Sequence, residues 1–151
     1  MKIFFKILFI SSVILVLNSC ALRPITSSYD YQKNKVESID FDKLGNGRIL
    51  IYNGANALHK IDNTARLNMW IDEKPMGQIR ASEYAIIELE KGTYDFKLLH
   101  VDMFNFKTYH KIEVNEKTKI IKIKPTATSN ELTITNMLPN NFDKFRYVEN
   151  R

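Results

Sequence analysis

The chain has 151 residues, enough for one domain of ordinary size and too few for a multidomain enzyme. Apolar residues at 44% and charged residues at 26% suit a folding chain, and five Gly and four Pro without a period exclude collagen-like and low-complexity classes. The formal charge is +5, and the single cysteine, Cys20, allows no internal disulfide and no cysteine cluster for structural zinc or an iron–sulfur centre.

The first element in chain order is an address. Lys2 and Lys6 precede an apolar run over residues 7–17, and small or polar residues follow up to Cys20, which is the layout of a secretory signal. As a helix that run would span about 16 Å, about half of a 30 Å hydrocarbon core, so a permanent transmembrane helix is the weaker reading. The segment Leu17-Asn18-Ser19-Cys20 resembles the lipobox of bacterial lipoproteins. The resemblance implies cleavage before Cys20, a diacylglyceryl thioether on its sulfur and acylation of the new amine. It also implies, from Ala21 after the cysteine, delivery to the outer membrane facing the periplasm. Loss of residues 1–19 removes Lys2 and Lys6 and lowers the formal charge from +5 to +3. An exported chain has no use for nucleic acid as a partner. The expected partners are the membrane, through the anchor, and another envelope protein.

Residues 20–46 are polar and show neither a period of 2 nor one of 3.6, so they read as the lipidated cysteine and a flexible tether. Tyr29, Tyr31, Ile39, Phe41 and Leu44 are the residues in it able to lie against a domain. After Gly45-Asn46-Gly47 the pattern changes to alternating apolar, β-branched and aromatic residues, which predicts a β domain over residues 47–137. Residues 48–53 (RILIYN) are nearly all apolar and predict a central strand buried on both faces. Residues 67–72 turn Leu67, Met69 and Ile71 to one side, and Glu73-Lys74-Pro75-Met76-Gly77 is turn chemistry. Further strands follow at 85–90, with Ala85, Ile87 and Leu89 inward, and at 93–101, with Tyr94, Phe96 and Leu98 inward. Residues 104–114 alternate strictly, placing Phe104, Phe106, Thr108, His110, Ile112 and Val114 together. Strands at 118–124 and 131–136 complete seven, and the tail over 138–151, with Phe142, Phe145 and Tyr147, suits a short helix. The expected fold is all-β, a small antiparallel sandwich.

Residues 67–124 resemble PEGA-type β-sandwich repeats, through Ile71-Asp72-Glu73-Lys74-Pro75-Met76-Gly77 and then Leu89-Glu90-Lys91-Gly92-Thr93-Tyr94. With the lipobox and the Gly47 to Tyr52 strand, the whole resembles the bacterial lipoproteins grouped as domain of unknown function 2846. The resemblance implies a PEGA-like, Ig-like sandwich in the cell envelope and no catalytic residues. Glu73 departs from the pattern, which has glycine after the aspartate, at a place where a turn needs positive φ.

His59, His100 and His110 never fall at i, i+2 or i+4, so no metal is expected. Asp72, Glu73, Glu88, Glu90 and Asp95 occupy a turn or solvent faces and do not predict a paired acid and base. No phosphate-cradling glycine loop or nucleophile elbow is present, and no cofactor is implied. Lys117, Lys119, Lys122 and Lys124, with Lys107 and Lys111 placed on a neighbouring strand, form either a positive face for anionic headgroups or a solvated strand face. Trp70 and Tyr109 lie opposite the core stripes of their strands, joined by Ile86, and with Lys107 and Lys111 they make the candidate partner face. The expected function is that of a lipid-anchored, non-catalytic structural or interaction module. The alternative is a periplasmic module that binds glycan or peptidoglycan through the aromatic face.

Overall fold

A computed structural model describes residues 22–29, 39–55 and 64–148. Residues 1–19, expected to be a signal, and Cys20, Tyr31 and His59 lie outside the described residues. Nine strands are present among the described residues: β1 (Arg48–Asn53), β2 (Leu67–Ile71), β3 (Lys74–Ile79), β4 (Glu83–Glu88), β5 (Gly92–Val101), β6 (Asn105–Val114), β7 (Ile120–Pro125), β8 (Asn130–Ile134) and β9 (Arg146–Tyr147). They form a first sheet in the order β8-β7-β1-β4-β9 and a second in the order β3-β2-β5-β6. The fold is an all-β sandwich, as the alternating pattern predicts. Two ladders of the first sheet, β1 with β7 and β4 with β9, are parallel, and the others are antiparallel.

Alternation explains the core. Ile49 and Ile51 of β1, Leu67, Met69 and Ile71 of β2, Ala85 and Ile87 of β4, Phe96 and Leu98 of β5, and Ile121 and Ile123 of β7 meet between the sheets. The opposite side of β1 is also covered: Leu50 and Tyr52, with Tyr84, Ile86 and Ile120, are buried beneath Ile39, Leu44, Leu138, Phe142, Phe145 and Tyr147. This double burial is what a nearly continuous apolar strand requires. In the tail, residues 142–144 make a single 3-10 turn, and the chain then adds β9 beside β4.

Two strands beyond the seven expected have separate causes. β9 is too short to carry a period, and β3 contains Pro75 and Gly77, which read as turn residues. The hairpin instead turns on Asp72 and Glu73, with φ of 47° and 66°, the two left-handed residues that a two-residue hairpin uses. Glycine is therefore dispensable at position 73, and Asp72 Oδ1 helps by accepting a hydrogen bond from the Asp95 amide at 2.8 Å. Pro75 is tolerated because β3 is an edge strand, and Met76 is the extra residue of a bulge between the Trp70/Pro75 and Met69/Gly77 pairs. At the start of the domain, Gly47 has φ 91° and its α-carbon lies so close to β4 that a Cβ would approach the Leu89 carbonyl to 2.7 Å.

One end of the sandwich is closed by buried amides. Asn53 Nδ2 donates to the carbonyls of Ala65 (2.7 Å) and Ile79 (3.1 Å), tying β1 to the second sheet. Asn130 Nδ2 donates to the Phe106 carbonyl at 2.9 Å, and Asn130 Oδ1 lies 2.7 Å from His100 Nδ1. Because the amide nitrogen is committed to a carbonyl, Oδ1 is the acceptor and His100 Nδ1 is the donor.

Candidate functional site

The outer face of the second sheet collects the residues that the alternation assigns to a partner surface. Trp70, Lys97 and Tyr109 lie side by side on β2, β5 and β6, and Asn68, Leu99 and Lys107 form the adjoining row. Lys111 stands opposite Asp95 on the same face and pairs with it at 3.7 Å. Trp70, Tyr109, Lys107 and Lys111 are thus brought together. Ile86 is not part of this surface: it belongs to β4 of the other sheet and is buried under the C-terminal tail.

Lys97 and Leu99 complete the face and were not apparent from residue type alone. Lys97 places its ammonium 4.4 Å from the centroid of the Trp70 ring, a cation–π contact that occupies one face of the indole. The signal was available in the sequence, since Lys97 alternates with inward Phe96 and Leu98, but only the strand order identifies Trp70 as its neighbour. Tyr109 is 67% exposed, the most open aromatic of the sheet face.

The β2 and β3 half of this face is covered by the chain itself. Gln78 Nε2 donates to the Leu22 carbonyl (3.0 Å) and to Asn68 Oδ1 (3.0 Å), and Asn68 Nδ2 donates to the Arg23 carbonyl (2.8 Å). Farther along, the Ser28 amide donates to the Pro75 carbonyl at 2.8 Å. Tyr29 packs at the edge of the core, with the Lys74 ammonium 5.7 Å from its ring. Burial, with the nearby Asp72 carboxylate, raises the pKa of the Tyr29 phenol. Asn68 and Gln78 are 2% and 3% exposed, so the segment over 22–29 lies flat on the sheet where a free tether is expected. Leu44 is likewise buried and Ile39 packs beside it, while Phe41 is exposed under the Lys119 ammonium.

The lysines divide between surfaces. Lys107 and Lys111 are on β6, whereas Lys122 and Lys124 are on β7, which neighbours β1 and β8 in the other sheet. Lys117 and Lys119 lie in and just after the turn that precedes β7, where Lys119 covers the Phe41 ring. The basic stretch therefore does not join Lys107 and Lys111 into one continuous face. The alternation of β6 and of β7 assigns faces but leaves pairing undetermined, and β7 pairs elsewhere.

Of the histidines, His100 is buried and stacked on Phe106 at 5.0 Å between ring centroids. His110 is half-buried on the inward side of edge strand β6, with Nε2 3.2 Å from Thr108 Oγ1. Burial lowers the His110 pKa below 6.5, against an opposing hydrogen bond with the Asn130 backbone. Among the described residues no three His, Cys, Asp or Glu side chains cluster as a metal site would require. Phe104 does not face the core: it lies in the turn between β5 and β6, 69% exposed. Glu88 and Glu90 border a concavity of about 500 Å³ at the opposite end of the molecule, where Arg48 stands directly across from Glu88. No family model matches the chain, and no curated protein or solved structure matches it either.

Proposed function

We propose that this protein is a lipid-anchored cell-envelope module that works by binding another envelope component, held at a membrane surface through Cys20. The observation that carries the reading is the run of basic start, apolar segment and Leu17-Asn18-Ser19-Cys20 at the head of the chain. Two or three acyl chains on one residue make an anchor that does not dissociate on biological timescales, since each buried methylene contributes about 0.8 kcal/mol. Confinement to a surface raises effective concentration, so a modest contact patch becomes sufficient. The open part of the second sheet, with Lys97, Leu99, Lys107, Tyr109 and Lys111, offers such a patch beside Trp70. The resemblance to PEGA-like lipoproteins is consistent with the same role. A glycan-stacking role is less favoured, because Lys97 already covers one face of Trp70.

Cell fractionation tests this reading. Wild-type protein should sediment with membranes and resist salt extraction, whereas Cys20→Ala should lose that retention. Equal retention of the Cys20→Ala chain would contradict the anchor.

A further inference from the structure

The β5–β6 turn is the most exposed apolar feature of the described residues, with Met103 85% and Phe104 69% exposed on consecutive positions. A solvated hairpin turn ordinarily carries polar residues, yet among the described residues this pair stays open, with Phe104 edge-on to Phe106 at 6.4 Å between ring centroids. Its position relative to the N-terminal segment gives the feature a meaning. Leu22 and Arg23 are bonded to Gln78 and Asn68, and the segment runs from there toward Pro75, away from the turn. The described segment thus begins, at Leu22, on the side of the sheet nearer the end where Met103 and Phe104 lie. Asn68 shares a row with Leu99 and Lys107, so the turn is only about 10 Å beyond it along the strands. Two virtual bonds of 3.8 Å separate Leu22 from Cys20, which keeps the anchoring residue within about 8 Å of Leu22.

We propose that Met103 and Phe104 form a second membrane contact, inserting into the boundary between headgroups and acyl chains beside the lipidated Cys20. The occupant of the apolar tip is therefore the bilayer itself. Chemistry along β6 follows the depth profile of an interface: two apolar side chains at the tip, then Lys107 at headgroup height, then Tyr109. Exposed Arg23 leaves the sheet near the same end. Asp102 also lies in the turn, half-buried, with its amide donating to the Phe104 carbonyl at 3.1 Å. The driving force is thus apolar burial more than net charge. A domain fixed at two points would stand upright, with the Lys97 and Tyr109 face directed sideways along the membrane surface. The inference rests on acylation of Cys20, which brings the tip to the bilayer.

The test uses the full lipidated chain reconstituted in vesicles of phosphatidylethanolamine and phosphatidylglycerol. Acylated Cys20 has no free thiol, so Met103→Cys provides a single site for an environment-sensitive fluorophore, and Glu73→Cys at the opposite end provides the control. The expected result is a blue shift at position 103 and severalfold quenching by nitroxide-bearing lipids, with the label at position 73 unaffected. A chain shown by mass to be acylated whose position 103 stays as aqueous as position 73 would overturn the insertion alone. A chain without acyl groups would overturn the anchor and the insertion together. Self-quenching that rises with protein density, without lipid quenching, would assign the tip to a second copy and overturn the bilayer as occupant. Phe104→Cys, labelled in the same way, should repeat the pattern.

Discussion

The side-chain amide of Gln78 holds the backbone carbonyl of Leu22 at 3.0 Å, and the same nitrogen donates to Asn68 Oδ1. This bond determines where the N-terminal segment meets the sandwich. A chain secured only two residues after Cys20 has almost no slack there, so an anchor at Cys20 would hold the domain directly on the membrane.

Replacing Gln78 with Ala leaves the Leu22 carbonyl and the Asn68 amide oxygen without their shared donor. Loss of about 1–3 kcal/mol of stability is expected from that buried group. Amide exchange should also accelerate at Ser28, whose N–H is held by Pro75. Urea unfolding and exchange mass spectrometry measure both, and unchanged exchange at Ser28 would contradict the docking of this segment through Gln78.

Asn130 is the peg at one end of the sandwich, joining β8 to His100 and the Phe106 carbonyl. Asn130→Ala removes both of these hydrogen bonds and should cost about 1–3 kcal/mol in denaturant unfolding. A loss below about 0.5 kcal/mol would show that the amide does not close this end.

Gly47→Ala should destabilise by roughly 1–3 kcal/mol, because the residue has φ 91° and the added carbon would sit 2.7 Å from the Leu89 carbonyl. Gly92→Ala is the control. Its nearest obstacle is the Tyr94 ring at 3.8 Å and its φ is not left-handed, so the loss should be no more than about 1 kcal/mol. Thermal melts that rank the two variants in the reverse order would contradict the close approach of Gly47 to β4.

His110 has a pKa lowered by burial, so the folded state binds its proton less readily than the unfolded state. Its contribution to stability is full above the ordinary value of 6.5 and is lost as pH falls through 6.5 toward the lowered midpoint, below which it changes no further. An NMR titration of the His110 ring should show a midpoint below 6.5. A midpoint above that value would mean that the proton is favoured in the fold and would reverse the sign.

Where the sequence is read by period, the structure follows it closely: Tyr94, Phe96 and Leu98 point inward, and Glu88 and Glu90 point out. β5 and β6 pair without interruption from Gly92 with Val114 to Val101 with Asn105. Period carries no information about partners across sheets, and so Lys107 and Lys122 proved to be on different sheets. Pro75 and Gly77 obscured β3, because an edge strand with a bulge uses residues that elsewhere make turns. The segment over 22–29 has no period because backbone carbonyls, held by Asn68 and Gln78, dock it more than an apolar stripe does. The candidate face was legible in Trp70, Tyr109, Lys107 and Lys111. Lys97 emerged only with the strand order, and Phe104 was misread because alternation continues past the end of its strand.

The mass of the mature N-terminal peptide, measured on protein purified from bacterial membranes, tests the central claim most directly. The account predicts a peptide that begins at Cys20 and carries a diacylglyceryl group on sulfur, with or without a third acyl chain on nitrogen. A free thiol at Cys20, or a chain still carrying residues 1–19, would contradict it.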